Sequence, residues 1–102
     1  MMKFTELEVA QIEKAANMMK AIAHPMRLAI LGYLSESKEL TVTEIHERVN
    51  IEQSTASHHL GILKDKGVLI SRREGKNTIY SIKNTNLNKL IACISDCACI
   101  DD

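Results

Sequence analysis

Residues 50–67, NIEQSTASHHLGILKDKG, decide the fold. The stretch reads as a turn, a cap and a helix whose buried stripe is Ala56, Leu60, Ile62 and Leu63, stopped by Gly67. The helix opens Gln53-Ser54-Thr55-Ala56-Ser57-His58-His59, where six of seven side chains are polar donors or acceptors and none is acidic. A helix start facing solvent favours Asp or Glu against the macrodipole. Their absence suits a helix end docked among phosphates. Small hydroxyls at Ser54, Thr55 and Ser57 let the backbone approach a groove, and Gln53 and His58 can reach base edges.

Upstream, Thr41 or Thr43 can cap a short helix covering Ile45 and Val49. That helix, a short turn and the helix of the opening stretch make a helix-turn-helix over residues 43–66. Downstream, VLISRREGKNTIYSI (residues 68–82) is β-branched and alternating on both sides of a polar, glycine-containing centre. This predicts a two-stranded hairpin that follows the second helix as a wing. Residues 5–23 carry Leu7, Ala10, Ile12, Ala15, Ala16, Met19 and Ile22 at helical spacing, with Thr5 and Glu8 placed as a capping box. Pro25 ends that helix and suits the first turn of the next, which runs from Met26 to Leu34 with Leu28, Leu31 and Leu34 on one face. Residues 86–98 return to helical spacing through Leu87, Leu90, Ile91 and Ile94. The expected fold class is mainly α (α+β): one winged helix-turn-helix domain over residues 1–102, with about five helices and a two-stranded β-hairpin wing.

The composition narrows the partners. The chain has 102 residues with 13 Lys+Arg against 13 Asp+Glu, so neither a uniformly basic nucleic-acid coat nor an acidic tail protein fits. Phe4, Tyr33 and Tyr80 are its only aromatics, too few for a base-stacking platform. The balance hides a partition: residues 64–83 carry a net charge of +4 and residues 36–52 a net of −3. Phosphate binding needs local charge, because screening limits each contact to about 8–10 Å at physiological salt. The bland reading of a basic hairpin is mere solubility; the polar helix before it favours a nucleic-acid face. The first residues lack the apolar core of a signal peptide, and no run approaches a membrane span, so a cytoplasmic protein with no membrane partner is expected.

At this point the chain resembles the ArsR/SmtB family of winged-helix repressors. AIAHPMRLAIL (residues 21–31), STASHHLGILKDKGVL (residues 54–69) and RREGKNTIYSI (residues 72–82) carry the resemblance, which covers most of the chain. It implies a dimeric transcription factor, paired through its first and last helices (residues 5–23 and 86–98), that leaves inverted-repeat operator DNA when an inducer binds. By position it implies major-groove contacts from Gln53, Ser54, Ser57 and His58, and wing contacts from Arg72, Arg73 and Lys76. His59 reads as partly buried or solvated before it reads as a contact. His24 reads as a structural helix-junction residue, and His46, within an acidic helix, as simply exposed.

Most inducer sites that the resemblance implies are absent. The segment matching an ELCVCDLC-like site is Glu39-Leu40-Thr41-Val42-Thr43-Glu44-Ile45-His46, without a thiol. The D-x-H-x10-H-x2-E/H pattern of the last helix falls on Asn84, Asn86, Cys97 and Ile100. What remains is Cys93, Cys97 and Cys99, an odd count that disfavours a disulfide framework. Cys93 and Cys97 share a helix face; Cys99 lies about 200° further round an ideal helix, so uniting all three requires the last turn to unwind. Asp101 and Asp102 oppose the helix dipole and favour that fraying. Three thiolates suit arsenite, antimonite or a soft metal ion, with no obligatory cofactor. Thiol-redox or persulfide chemistry, and plain packing of small hydrophobes, stay open beside it.

A winged-helix protein-interaction adaptor is the alternative of another class, disfavoured by the uncharged helix start and the basic wing. An enzyme is not expected, because no Ser/His/acid set or Gly-rich phosphate loop is present.

Overall fold

The structure, a computed structural model, describes residues 3–99, with the side chains of residues 3–98. The fraying expected from Asp101 and Asp102, and the side chain of Cys99, lie outside the described residues. The first helix begins later than the sequence pattern suggests. Thr5 belongs to a 3-10 turn, Phe4–Glu6, and α1 spans Val9–Ile22. Its cap is Glu8, whose backbone N–H donates to Gln11 Oε1 at 2.9 Å, so the expected Thr5–Glu8 box is displaced by one turn. α2 (Pro25–Ser37) starts with Pro25 in its first turn and His24 as its cap, the imidazole Nδ1 accepting from the Met26 N–H at 3.1 Å.

Thr41 caps α3 (Val42–Val49) in a reciprocal box. Its Oγ1 accepts from the Glu44 N–H at 3.1 Å, and its own N–H donates to Glu44 Oε1 at 2.9 Å. Asn50 then turns the chain in the left-handed region (φ 55°, ψ 52°), which its short polar side chain tolerates, and α4 (Gln53–Asp65) follows. Gly67 at φ 76° leads out of α4 into β2 (Leu69–Glu74), which pairs with β3 (Asn77–Ile82). Glu74 faces Asn77 across a two-residue loop, and only its first member, Gly75, has a positive φ (61°), the pattern of a type II′ hairpin turn. α5 (Asn86–Cys99) completes the described chain.

The expected two-stranded hairpin is present, and a third strand joins it in one sheet. β1 (Glu39–Thr41), between α2 and α3, pairs antiparallel with β3 in the order β1-β3-β2. Leu40 lies opposite Tyr80, and Arg72 opposite Ile79. A three-residue strand with one buried side chain has no alternation to detect; its evidence is the partner edge of β3.

One apolar cluster joins Ala21 and Ile22 of α1, Ile30, Leu31 and Leu34 of α2, Leu40, Ile45, Leu60, Leu63, Val68 and Leu69. Burying such aliphatic side chains contributes roughly 1.5–3 kcal/mol each. The α4 stripe is therefore Ala56, Leu60 and Leu63, with Ile62 only half-buried. Among the described residues no helix is long and apolar enough to cross a membrane.

Lys38, which ends α2, adopts φ 69° and ψ −48°, a conformation that L side chains resist. Glycine there removes the Cβ penalty while keeping the turn. Lys38→Gly is expected to raise the unfolding free energy by about 1 kcal/mol, read as a higher urea midpoint at unchanged slope.

Candidate nucleic-acid interface

The buried stripe of α4 dictates what the helix shows to solvent. With Ala56, Leu60 and Leu63 in the core and His59 only 8% exposed, Gln53, Ser54, Thr55, Ser57 and His58 stand exposed in the first two turns. All five residues proposed for this helix are thus brought to its solvent side. The N–H groups of Gln53, Ser54 and Thr55 precede the first intrahelical bond, from the Ala56 N–H to the Glu52 carbonyl at 3.0 Å. The cap is Glu52, whose side chain makes no capping bond, so those three donors are left for a ligand or water. The first turn of α4 holds no acid, as expected, and Glu52 stands at the cap immediately before it.

The turn between α3 and α4 is fixed by His46. It is half-buried, not exposed as expected, with Nδ1 3.2 Å from the Ile51 carbonyl oxygen. A carbonyl only accepts, so Nδ1 carries the proton. No pattern in an acidic helix signals such a bond to a residue beyond its own end.

His59 is fastened on the opposite side of α4. Arg27 of α2 donates through Nε to His59 Nδ1 at 3.1 Å and through Nη1 to the Ala21 carbonyl at 3.1 Å. The His24 ring lies 4.8 Å from the His59 ring, centre to centre, and the His58 ring 5.8 Å from it. The arrangement clamps the α1–α2 junction to the inner face of α4. The part played by Arg27 was not read from the sequence, although it stands three residues after His24 in the motif already singled out. His24 is the junction residue it was expected to be.

The wing cations divide. Arg73 and Lys76 are exposed and, among the described residues, make no ion pair. Arg72 is held by two carboxylates, Glu39 of β1 and Glu74 of its own strand. The Arg72 guanidinium keeps the Glu39 carboxyl below its usual range, and Glu39 raises Arg72 in turn. On α5, Cys93 and Cys97 are free and exposed, four residues apart on one face. Among the described residues no group of three or more His, Cys, Asp or Glu side chains is gathered in metal-holding geometry.

Burial, then the charges of Arg27, His24 and His58, hold His59 below the ordinary histidine value of 6.5. Its folded value is depressed, so the clamp is complete above about pH 6.5 and is lost as pH falls through the folded value. The thermal midpoint is expected to fall on acidification from about pH 7 to about pH 5. In His59→Asn, whose amide oxygen can accept from Arg27 without titrating, that slope should flatten in calorimetry.

Residues 22–72 match the family described as helix-turn-helix domain. The HTH-type transcriptional regulator YgaV of Escherichia coli is 37% identical over 90 residues, covering 88% of this chain and 91% of that protein. The transcriptional repressor PagR of Bacillus anthracis is 37% identical over 90 residues, covering 88% of this chain and 90% of its own. The PagR crystal structure superposes with a TM-score of 0.78 at 38% identity, over 85% of this chain and 99% of that one. The homodimeric winged helix-turn-helix DNA-binding domain of a possible ArsR-family regulator from Mycobacterium bovis gives a TM-score of 0.80 at 31% identity. That alignment covers 96% of this chain and 90% of the other. Motifs, topology and these relatives agree, and the chain belongs to the ArsR/SmtB family of winged helix-turn-helix transcriptional regulators.

Proposed function

We propose that the protein is a homodimeric repressor that seats α4 of each protomer in the major groove of inverted-repeat operator DNA. The division of α4 carries this reading: its aliphatic stripe is fixed in the core, and Gln53, Ser54, Thr55, Ser57 and His58 are exposed together at the end where N–H groups are open. Arg73 and Lys76, unpaired among the described residues, supply cations on the adjoining wing for phosphate. Named regulators and a named repressor among the relatives support it.

Two protomers are supported by α1. Of its fourteen residues only Ala21 and Ile22 are buried, while Val9, Ile12 and Met19 are 71%, 38% and 48% exposed. Their spacing draws a narrow apolar seam of the kind that pairs helices. Leu90 and Ile94 of α5, half-buried in one protomer, extend the surface available to a second copy.

We assign inducer sensing to the thiols of α5, for arsenite, antimonite or a soft metal ion. Cys93 and Cys97 form an accessible pair on one face, suited to sulfur-seeking ions. The backbone is helical through Cys99, so a third thiol in the same chain requires the last turn to open. Reversible oxidation or persulfide formation at the same pair is the second reading, favoured by the same four-residue spacing.

Ser57→Ala with His58→Ala is expected to weaken specific binding by about 1–3 kcal/mol per lost base contact, with an unchanged circular dichroism spectrum. Fluorescence anisotropy on operator and scrambled duplexes checks it; equal affinity for both in the parent protein would sink the reading. Val9→Glu with Ile12→Glu should give a monomer in size-exclusion light scattering. Cys93, Cys97 and Cys99 all changed to Ser should keep DNA binding and lose release by arsenite or cadmium, with no adduct in native mass spectrometry. Release that survives in this variant removes the thiols as sensors.

A further inference from the structure

Arg72 stands in the basic wing, yet its charge is not free. The side chain reaches across β3 from β2 to β1, where Nη1 pairs with Glu39 Oε2 and Nη2 lies 3.3 Å from Glu39 Oε1. Its Nε lies 3.4 Å from Glu74 Oε1. The two-pronged grip of Glu39 is the geometry in which a guanidinium engages a phosphate. One cation against two carboxylates leaves the cluster with an excess negative charge. All three side chains are about half exposed (47% for Arg72, 50% for Glu39, 60% for Glu74), so a phosphate can approach them and would meet that charge. Arg73 points to the opposite face of the strand and Lys76 sits in the hairpin turn; neither is paired among the described residues.

The geometry points to Glu39 as an internal stand-in for DNA phosphate, which occupies Arg72 and holds the wing's grip on the duplex below its full strength. The inference rests on the DNA-binding reading above and deepens it. Arg73 and Lys76 then make the phosphate contacts of the resting wing. Arg72 contributes only when Glu39 releases it. Glu39 belongs to β1, which lies between α2 and α3 in the chain, so the restraint comes from outside the hairpin and acts on it through the sheet.

A phosphate contact is independent of sequence, so the test uses a mixed-sequence duplex over a range of salt concentrations. The proteins are the full chain, Glu39→Gln, Arg72→Ala and the double variant, with thermal midpoints measured alongside. Glu39→Gln is expected to bind about fivefold tighter at about 0.15 M salt, with a log–log salt slope steeper by about 0.9, the signature of one further phosphate. In the Arg72→Ala background the same change should alter neither quantity. Glu74→Gln, which relieves Arg72 without touching β1, should shift binding in the same direction by less. Equal tightening in both backgrounds would show only the loss of a negative charge and overturn the inference. Weaker binding by Glu39→Gln would overturn it too, making Glu39 an orienting partner. If the unaltered chain binds no duplex, the DNA-binding reading fails and this inference with it.

Discussion

Everything that α4 can offer a ligand depends on where Ala56, Leu60 and Leu63 are buried. All three are buried at the spacing of one helix face, and Leu60 and Leu63 enter the cluster built by Ile30, Leu31, Leu34 and Ile45. Truncating a buried leucine to alanine costs about 2–5 kcal/mol, a large part of the stability of so small a domain. Rotating α4 to display another face would expose this stripe and bury Gln53, Ser54, Ser57 and His58 without partners. The polar face is therefore rigid in orientation although none of its members is itself held. His59 reinforces the same choice by polar means, since Arg27 can reach its Nδ1 only with the ring turned inward. The clamp adds a condition that a hydrophobic contact lacks: the imidazole must be neutral to accept.

The parts legible in the sequence are those where one local signal acts alone. Helical spacing located α4, α2 and α5, Pro25 marked the α1–α2 junction, and the alternating runs around Arg72–Asn77 marked the hairpin. The wing lost its expected simplicity at β1, which exists because β3 offers an edge and not because Glu39–Thr41 prefers extension. The first helix was drawn too early because Thr5 and Glu8 have the spacing of a box, whereas Glu8 and Gln11 make the observed contact. His46 and Arg27 escaped for a common reason. Each bonds to a group outside its own helix, and residue type says nothing about the far partner. The pairing of Arg72 was hidden in the same way, because the Glu39 carboxylate lies 33 residues away in the chain.

Electrostatics repeats that division on a larger scale. A chain with equal numbers of acids and bases exerts little net pull on a polyanion, so attraction rests on a few cations within a Debye length of the phosphates. Glu52 caps α4, and Glu39 of β1 and Glu74 of β2 pair with Arg72. On the proposed DNA-binding reading, each of these acids would lower the sequence-independent part of binding and leave the base-reading part untouched. Such a regulator would, on that reading, hold nonspecific DNA weakly and rest its preference among sites on side chains such as Ser57 and His58.

The same economy bears on how an inducer acts in the dimeric reading. α4 is locked to the core of its own protomer by aliphatic burial and by the His59 clamp, so bending it away from DNA means breaking the domain. The exposed Val9, Ile12 and Met19 of α1 carry no comparable internal constraint. They govern how two rigid protomers are set against each other. Successive major grooves on one side of a duplex lie about 34 Å apart, so a small rotation at the seam is enlarged at the distant recognition helices. On the proposed reading, a ligand held by the α5 thiols would act through the setting of the two protomers, with no change needed within α4. The free energy of ligand binding would then act on the dimer's geometry, the softer coordinate, and leave the fold of each protomer intact.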